Sequence, residues 1–386
     1  MLKGLFYHFS PGRDIGHGVH LFRLAARLNA LCENSAEFTL LRDAGAYPPA
    51  NRWVYGPRVQ LPRSPASDIT LRQKAILSAF PESGPDFLLT AFFPFGRTAC
   101  GREILPALKK AKAAGAAIYA SVPMPYFSHS EKDLERLFYF AGFYDRIFIH
   151  CPPGFDLKYM AAAVPFEGRI SSARFLEVFK KLKHKLVFTG YVMPGGGKPG
   201  PGPRKGNCIL VHRGGGSTSP DIVTCAILAK ERLKSALPMT VVAGPASTAP
   251  EMRAWRGLIK KRRIKGVTLL KTADNFFELL SGCEVCAGTA GGTAYETLYW
   301  NKKTVLMPFK GSPKAEHSDQ LARAAMLKKM AGAIVLDYDT LTPEGLAAAL
   351  DKAVSAPRPS LKPVPGLFNG ATVFARTVLG DLRSRK

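Results

Sequence analysis

Residues 286–298 read CAGTAGGTAYETL. An apolar run ends in a cluster of small residues, Gly288, Ala290, Gly291 and Gly292, and a stretch of helical composition follows that carries one carboxylate, Glu296. Strand, glycine-bearing turn and helix together form the repeating unit of an α/β fold, because glycine lets the backbone turn sharply and bring its amides close to a ligand. The rest of the chain repeats the unit. LFYHF (5–9) precedes the helical period of GVHLFRLAARLNALC, DFLLTAFF (86–93) precedes REILPALKKAKAAG, and AIYASV (117–122) and DRIFIH (145–150) come after. Further on come CILVHR (208–213), a helix near 220–235, TVVAG (240–244), VTLL (267–270), EVCAG (284–288), a helix from about 293, TVLMPF (304–309), another helix, AIVLDY (333–338) and LAAALDKAV. Short apolar runs alternating with helical periods predict parallel sheets with crossover helices.

The stretch YVMPGGGKPGPGPRKGN (191–207) is too rich in Gly and Pro for a regular element and predicts a linker. At 386 residues the chain exceeds one average domain of ~150 residues. The expectation is therefore α/β, with two Rossmann-like domains facing a central cleft: a domain over 1–190, a linker over 191–206 and a second domain over 207–358. Residues 359–386 begin Pro-rich and end in a helical pattern, LFNGATVFARTVLGDLRSRK, expected to pack back on the N-terminal domain. Ligands of such folds lie at the carboxyl ends of the strands.

A composition of 46% hydrophobic and 22% charged residues is that of a folded globular protein. No uninterrupted apolar stretch reaches the roughly 18 residues of a membrane span. The opening MLKGLFYHFSPGR lacks the apolar segment of a signal peptide, so a cytoplasmic protein is expected. Seven scattered cysteines argue for reduced thiols rather than a disulfide framework. The CxxC pair Cys283 and Cys286 has no second pair to complete a zinc site, which predicts cysteines in or beside a buried strand and no metal site. Lys and Arg total 54 against 29 acids, a net charge of +25 that attracts polyanions, anionic lipid headgroups or phosphorylated substrates alike. Part of it is concentrated in KKAK (109–112), KKLKHK (180–185) and KKRRIK (260–265). No aromatic-interleaved basic motif or zinc-finger spacing points to nucleic acid.

Two glycine-rich turns follow strands in the second half, RGGGSTS (213–219) and AGTAGG (287–292). Amides at such turns, with a helix N-terminus beyond, suit an anion such as a diphosphate. Neither turn matches the GxxxxGK[ST] loop or a GxGxxG fingerprint, which disfavours an ATPase or a dehydrogenase.

These residues carry a resemblance. AGTAGGTAYETLYWNKKTVLMPF (287–309) and EHSDQLARA (316–324) resemble the nucleotide-sugar domain of GT-B glycosyltransferases of the MurG-like group, and DIGHGVHLFRLAARL (14–28) is similar to that family's Gly-His turn opening the first helix. A bacterial branch known as predicted glycosyltransferases is also similar at PDFLLTAFFPFG (85–96), FYDRIFIHCPP (143–153) and VFTGYV (187–192). The resemblance implies a hexosyltransferase that uses a nucleoside diphosphate sugar, UDP-sugar favoured, as donor substrate and needs no cofactor. It implies a saccharide or lipid-linked acceptor, inversion, and no metal. The nearest DxD element, DYDTL (337–341), falls where the family has a variable turn.

By the same resemblance Glu296 accepts hydrogen bonds from the two ribose hydroxyls, a task that suits a carboxylate facing a vicinal diol. Asp319 and Gln320 contact the donor sugar, and Arg323, one turn on, faces the diphosphate or solvent. Gly214, Gly215, Gly216 and Ser217 form the first phosphate-side loop, and Gly291, Gly292 and Thr293 the second. His17 stands where the family places an active-site histidine; an imidazole titrating near neutrality can take a proton from the acceptor hydroxyl. Asp14 orients that ring or caps the helix, and His20, a turn later, packs or caps. Gly16, Arg13 and Arg97 fall on the acceptor side. Two other readings stand beside this one: a nucleotide-sugar epimerase or hydrolase on the same fold, and a non-catalytic polyanion-binding protein. The basic runs suggest an anionic membrane surface as a further partner, and so a protein held peripherally at the inner membrane.

Overall fold

The structure, a computed structural model, describes residues 1–9, 16–43, 53–62, 69–96, 98–124, 130–152, 154–163, 170–194, 206–216, 219–309, 319–359 and 364–385. Gly16, His17, Thr98, Phe155 and Ala163 are described in their backbone alone. The chain divides into two compact units, one of Met1–Gly45, Asn51–Lys198 and Pro365–Lys386, the other essentially Pro199–Val364.

In the first unit the elements run β1 (Leu2–His8), α1 (Gly16–Leu31), β2 (Ala36–Asp43), β3 (Arg58–Leu61), α2 (Ile69–Ser78), β4 (Phe87–Ala91), α3 (Gly101–Ala113) and β5 (Ala117–Val122). Then come α4 (Glu131–Ala141), β6 (Arg146–Ile149), α5 (Phe155–Ala163), α6 (Ser172–Lys181) and β7 (Leu186–Phe188). The seven strands form one parallel sheet in the order β3-β2-β1-β4-β5-β6-β7. All of FLLTA in β4 and AIYASV in β5 is buried, as expected where helices cover both faces of a parallel sheet. β1, β4, β5 and β6 are the apolar runs expected from the sequence, whereas the more polar β2 and β3 and the three-residue β7 carry no such run.

The second unit runs β8 (Ile209–His212), α7 (Asp221–Ala229), β9 (Met239–Val242), α8 (Ala249–Lys261), β10 (Val267–Leu270) and α9 (Phe276–Gly282). It continues through β11 (Val285–Gly288), α10 (Thr293–Tyr299), β12 (Lys303–Leu306), α11 (Asp319–Ala331), β13 (Ile334–Val335) and α12 (Pro343–Ser355). Its sheet is also parallel, ordered β10-β9-β8-β11-β12-β13. Alternation along β8 splits its side chains. Ile209 and Val211 enter a core with Val223, Trp255 and Leu350 on one face, while Leu210 meets Leu280, Cys283 and Cys286 on the other. The CxxC cysteines are thus core residues, and their mutual hydrogen bond, together with burial, raises the Cys286 thiol well above its usual range.

The last helix, α13 (Gly370–Arg383), belongs to the first unit and packs on α1. The approach is fixed by main-chain bonds from Tyr191 N to Leu367 O (2.7 Å) and from Gly370 N to Tyr191 O (3.0 Å). Arg27 Nε donates to Thr372 Oγ1 at 3.0 Å, and Phe374 sets its ring against Phe148 at 4.8 Å. Tyr191, Val192 and Met193, read from the sequence as the start of a linker, are buried here; their apolar side chains outweigh the Gly/Pro composition of the stretch after them.

The basic runs lie at helix C-termini. Lys110 and Lys112 end α3, Lys180 and Lys181 end α6, and Lys260 and Lys261 end α8, all exposed. Cations there complement the partial negative charge of the unpaired carbonyls. Crossover helices run antiparallel to their strands, so these lysines lie towards the amino ends of each sheet.

Candidate functional site

In a sheet ordered β10-β9-β8-β11-β12-β13 the chain leaves β8 in one direction and returns at β11 in the other, so the crevice between their carboxyl ends is the topological switch point. Both glycine-rich turns emerge there: residues 213–216 after β8 and 289–292 after β11. Gly214 has φ +88°, a conformation natural to glycine, and Thr289 Oγ1 donates to Arg213 O at 3.3 Å, tying the two turns together. Gly288 is required by close approach: a Cβ there would lie 2.3 Å from His212 O and 2.6 Å from His212 Cε1 and Nε2.

Glu296 sits in the first turn of α10 and is 7% exposed. At that exposure the carboxylate is turned in against the protein and not out from the solvent face of the helix. Thr293 opens the same helix, after Gly291 and Gly292. Gln320 and Asp319 begin α11. Gln320 Oε1 accepts from Phe309 N at 3.1 Å, fastening the segment after β12 to that helix. Asp319 pairs with Arg323.

Arg323, expected to face diphosphate or solvent, turns inward and is 5% exposed. Its guanidinium donates to Ala290 O within the second glycine turn and lies 5.0 Å over the Tyr295 ring. Burial opposes its charge, but Asp319 and Tyr295 outweigh burial and hold its pKa above the ordinary arginine range. Arg323 is therefore a clamp that positions the turn.

His212 ends β8 and Arg213 follows it, their side chains on opposite faces of the sheet; neither stands out in the sequence as a site residue. Arg213 is 2% exposed, reaches Glu251 Oε1 at 3.3 Å and lies 5.9 Å over Trp255. His212 packs edge-on against Phe276 at 5.9 Å and 89°, and burial lowers its pKa to about 4. Both follow a hydrophobic run, ILV, without a break. That is the one signal the sequence offered: polar residues at the carboxyl end of an otherwise buried strand.

The first unit has its own switch point, between β1 and β4. Gly16 and His17 open α1 there, whereas Arg13, Asp14, Arg97 and, in the second unit, Ser217 lie outside the described residues. His20, one turn into α1, sets its ring 4.4 Å from that of His150. His150 is buried, with Nε2 3.0 Å from Ser121 Oγ and Nδ1 2.8 Å from Thr189 Oγ1. Thr189 directs its own hydroxyl at Gly190 O, 2.9 Å away, so its oxygen accepts from Nδ1–H and Ser121 donates to Nε2. The ring is neutral, its pKa lowered to about 3 by burial. Among the described residues no group of three or more His, Cys, Asp or Glu could hold a metal ion, and no helix is long and apolar enough to cross a membrane.

Residues 209–363 match the glycosyltransferase family 28 C-terminal domain. No curated protein matches the sequence. Among solved structures the chain is similar to MurG of Acinetobacter baumannii, at 14% identity over 98% of this chain and 99% of that one, with a TM-score of 0.54. It is similar to LpCGTa in complex with UDP, at 12% identity over 100% and 99% of the two chains and a TM-score of 0.58. It is also similar to the UDP-GlcNAc 2-epimerase of Neisseria meningitidis bound to UDP-GlcNAc, at 10% identity over 98% and 100% and a TM-score of 0.59. At these identities the likeness to solved structures is one of fold.

Proposed function

We propose that this chain, whose residues 209–363 match the glycosyltransferase family 28 C-terminal domain and whose fold is similar to that of MurG, is a MurG-like glycosyltransferase that moves a hexose-type sugar from a nucleoside diphosphate sugar to a hydroxyl of a saccharide or lipid-linked acceptor. The observation that carries the reading is the switch point of the second unit, where two cross-tied glycine turns meet beneath a helix bearing the buried Glu296. Amides of 214–216 and 289–292 suit a diphosphate, and a carboxylate on the helix beyond suits a ribose diol. UDP is the favoured nucleotide, since two of the similar structures hold UDP or UDP-GlcNAc.

The reaction is a single displacement with inversion and without a metal. The acceptor oxygen attacks C1 of the sugar, His17 accepts the hydroxyl proton, and the C1–O bond to the diphosphate breaks. Preorganised amides stabilise the charge that grows on the leaving group. Asp14 orients His17; Asp319 and Gln320 hold the sugar; Arg13, Gly16 and Arg97 line the acceptor side. The exposed lysines would draw the protein to the anionic inner membrane surface, where a lipid-linked acceptor resides.

The likeness to the epimerase favours a second reading, in which the same donor is isomerised or hydrolysed. A thermal-shift screen of nucleoside diphosphates identifies the nucleotide, because a ligand that binds only the folded state raises its stability. Incubation with the matching sugar donor alone then separates the readings. Sugar transfer that requires an added acceptor supports the transferase, whereas rapid release or inversion at C2 without acceptor supports the rival, and no turnover with any acceptor supports a non-catalytic polyanion binder.

A further inference from the structure

His212 is 4% exposed, at the carboxyl end of the strand that flanks the switch point, and its Nδ1 is buried without a hydrogen-bond partner. A neutral imidazole carries one proton. Placed on Nδ1 it would create a buried N–H with no acceptor, the rarer and costlier kind of orphan. The proton therefore belongs on Nε2, and a second proton is disfavoured for the same reason, in keeping with a pKa lowered to about 4. Nε2 and Cε1 lie over Gly288, the last residue of β11: a Cβ there would come within 2.6 Å of both, so glycine is what makes room for the ring. Phe276 packs edge-on against the ring. A fixed, uncharged N–H thus stands at the carboxyl ends of β8 and β11, where the two turns whose amides suit an anion begin.

We infer that His212 donates a hydrogen bond from Nε2 to a phosphate oxygen of the donor nucleotide, making it a donor-binding residue beside the glycine turns. The inference rests on the donor reading above. It differs from a purely structural role in one respect: packing against Phe276 needs only an aromatic ring, whereas phosphate binding needs the Nε2–H. Calorimetric titration with UDP, GDP and TDP compares the wild type with His212→Phe, His212→Gln and His212→Asn, and each melting temperature reports folding. Gln can place an amide N–H near the Nε2 position, and Asn near that of Nδ1.

His212→Phe and His212→Asn are expected to bind the preferred diphosphate at least ~10-fold more weakly, a loss typical of one hydrogen bond to a charged group, and His212→Gln within ~3-fold of wild type. Wild-type affinity in His212→Phe overturns the inference and leaves the donor reading standing. Equal affinities for His212→Gln and His212→Asn overturn the Nε2 assignment even if His212→Phe fails to fold. Failure of the wild-type protein to bind any of the three diphosphates removes the donor reading and this inference with it.

Discussion

Replacing Arg323 with Met tests whether the second glycine turn is held from beneath. Methionine retains much of the side-chain volume and removes the charge and the donors. The donation to Ala290 O, the ion pair with Asp319 and the guanidinium over the Tyr295 ring at 5.0 Å are among the contacts that disappear. The Asp319 side chain is 34% exposed, so water takes over much of that pairing and its loss contributes little. A hydrogen bond from a charged group to a buried carbonyl contributes about 1.5 to 3 kcal/mol, and a desolvated cation–π contact about 1 kcal/mol more. The expected destabilisation is therefore about 3 kcal/mol, or a melting temperature roughly 6 to 12 °C lower for a unit of this size. Trp255 and Trp300 both lie in the second unit, so tryptophan fluorescence during urea or thermal unfolding reports on it. Because Ala290 belongs to the proposed diphosphate cradle, UDP affinity should fall as well. Arg323→Lys keeps a point charge without the planar fork and should fall between. A melting temperature for Arg323→Met within about 2 °C of wild type would refute the clamp.

Glu296→Ala should weaken UDP binding by about 1 to 3 kcal/mol with the fold intact, the effect of leaving ribose hydroxyls unpaired; titration showing unchanged affinity removes the ribose assignment. His17→Ala should lower turnover by roughly 100-fold to 10,000-fold with donor affinity nearly kept, and a protein that does not fold makes His17 structural instead. Stability should depend on pH through His150 and His212, whose folded pKa values, about 3 and about 4, lie below the unfolded value of 6.5. The unfolded chain takes up protons that the folded one refuses, so their contribution is fully present above pH 6.5 and is lost as pH falls towards 4, with a slope approaching ~1.4 kcal/mol per pH unit for each ring. Urea midpoints between pH 7 and 5 should be less pH-dependent in His150→Gln than in wild type; parallel slopes would contradict the assignment. Anionic vesicles should sediment the protein and neutral ones should not, with binding fading as salt shortens the Debye length from ~10 Å at 0.1 M. Failure to bind both kinds points to a soluble acceptor.

The parts of the fold that were legible in the sequence are those set by local pattern. Strands buried on both faces, such as FLLTA and AIYASV, are nearly uniform apolar runs, and the turns at 213–219 and 287–292 announce themselves by glycine because a close approach or a positive φ admits little else. Glu296 stood out as a lone acid beyond such a turn. Strand order was not legible, since pairing β8 with β11 across some 75 residues is a long-range event that leaves no trace in either segment alone. The inward turn of Arg323 was equally hidden: an arginine at the end of DQLAR reads as facing the diphosphate or solvent until the Ala290 carbonyl and the Tyr295 ring are brought beneath it. His212 and Arg213 are adjacent in sequence, yet the pleat sends one to Phe276 and the other to Trp255. Local propensity and hydrophobic period determined which segments became strands, turns and helices. Only tertiary packing decided which polar groups lost their water, and burial of those groups governs both their protonation and their use at the site.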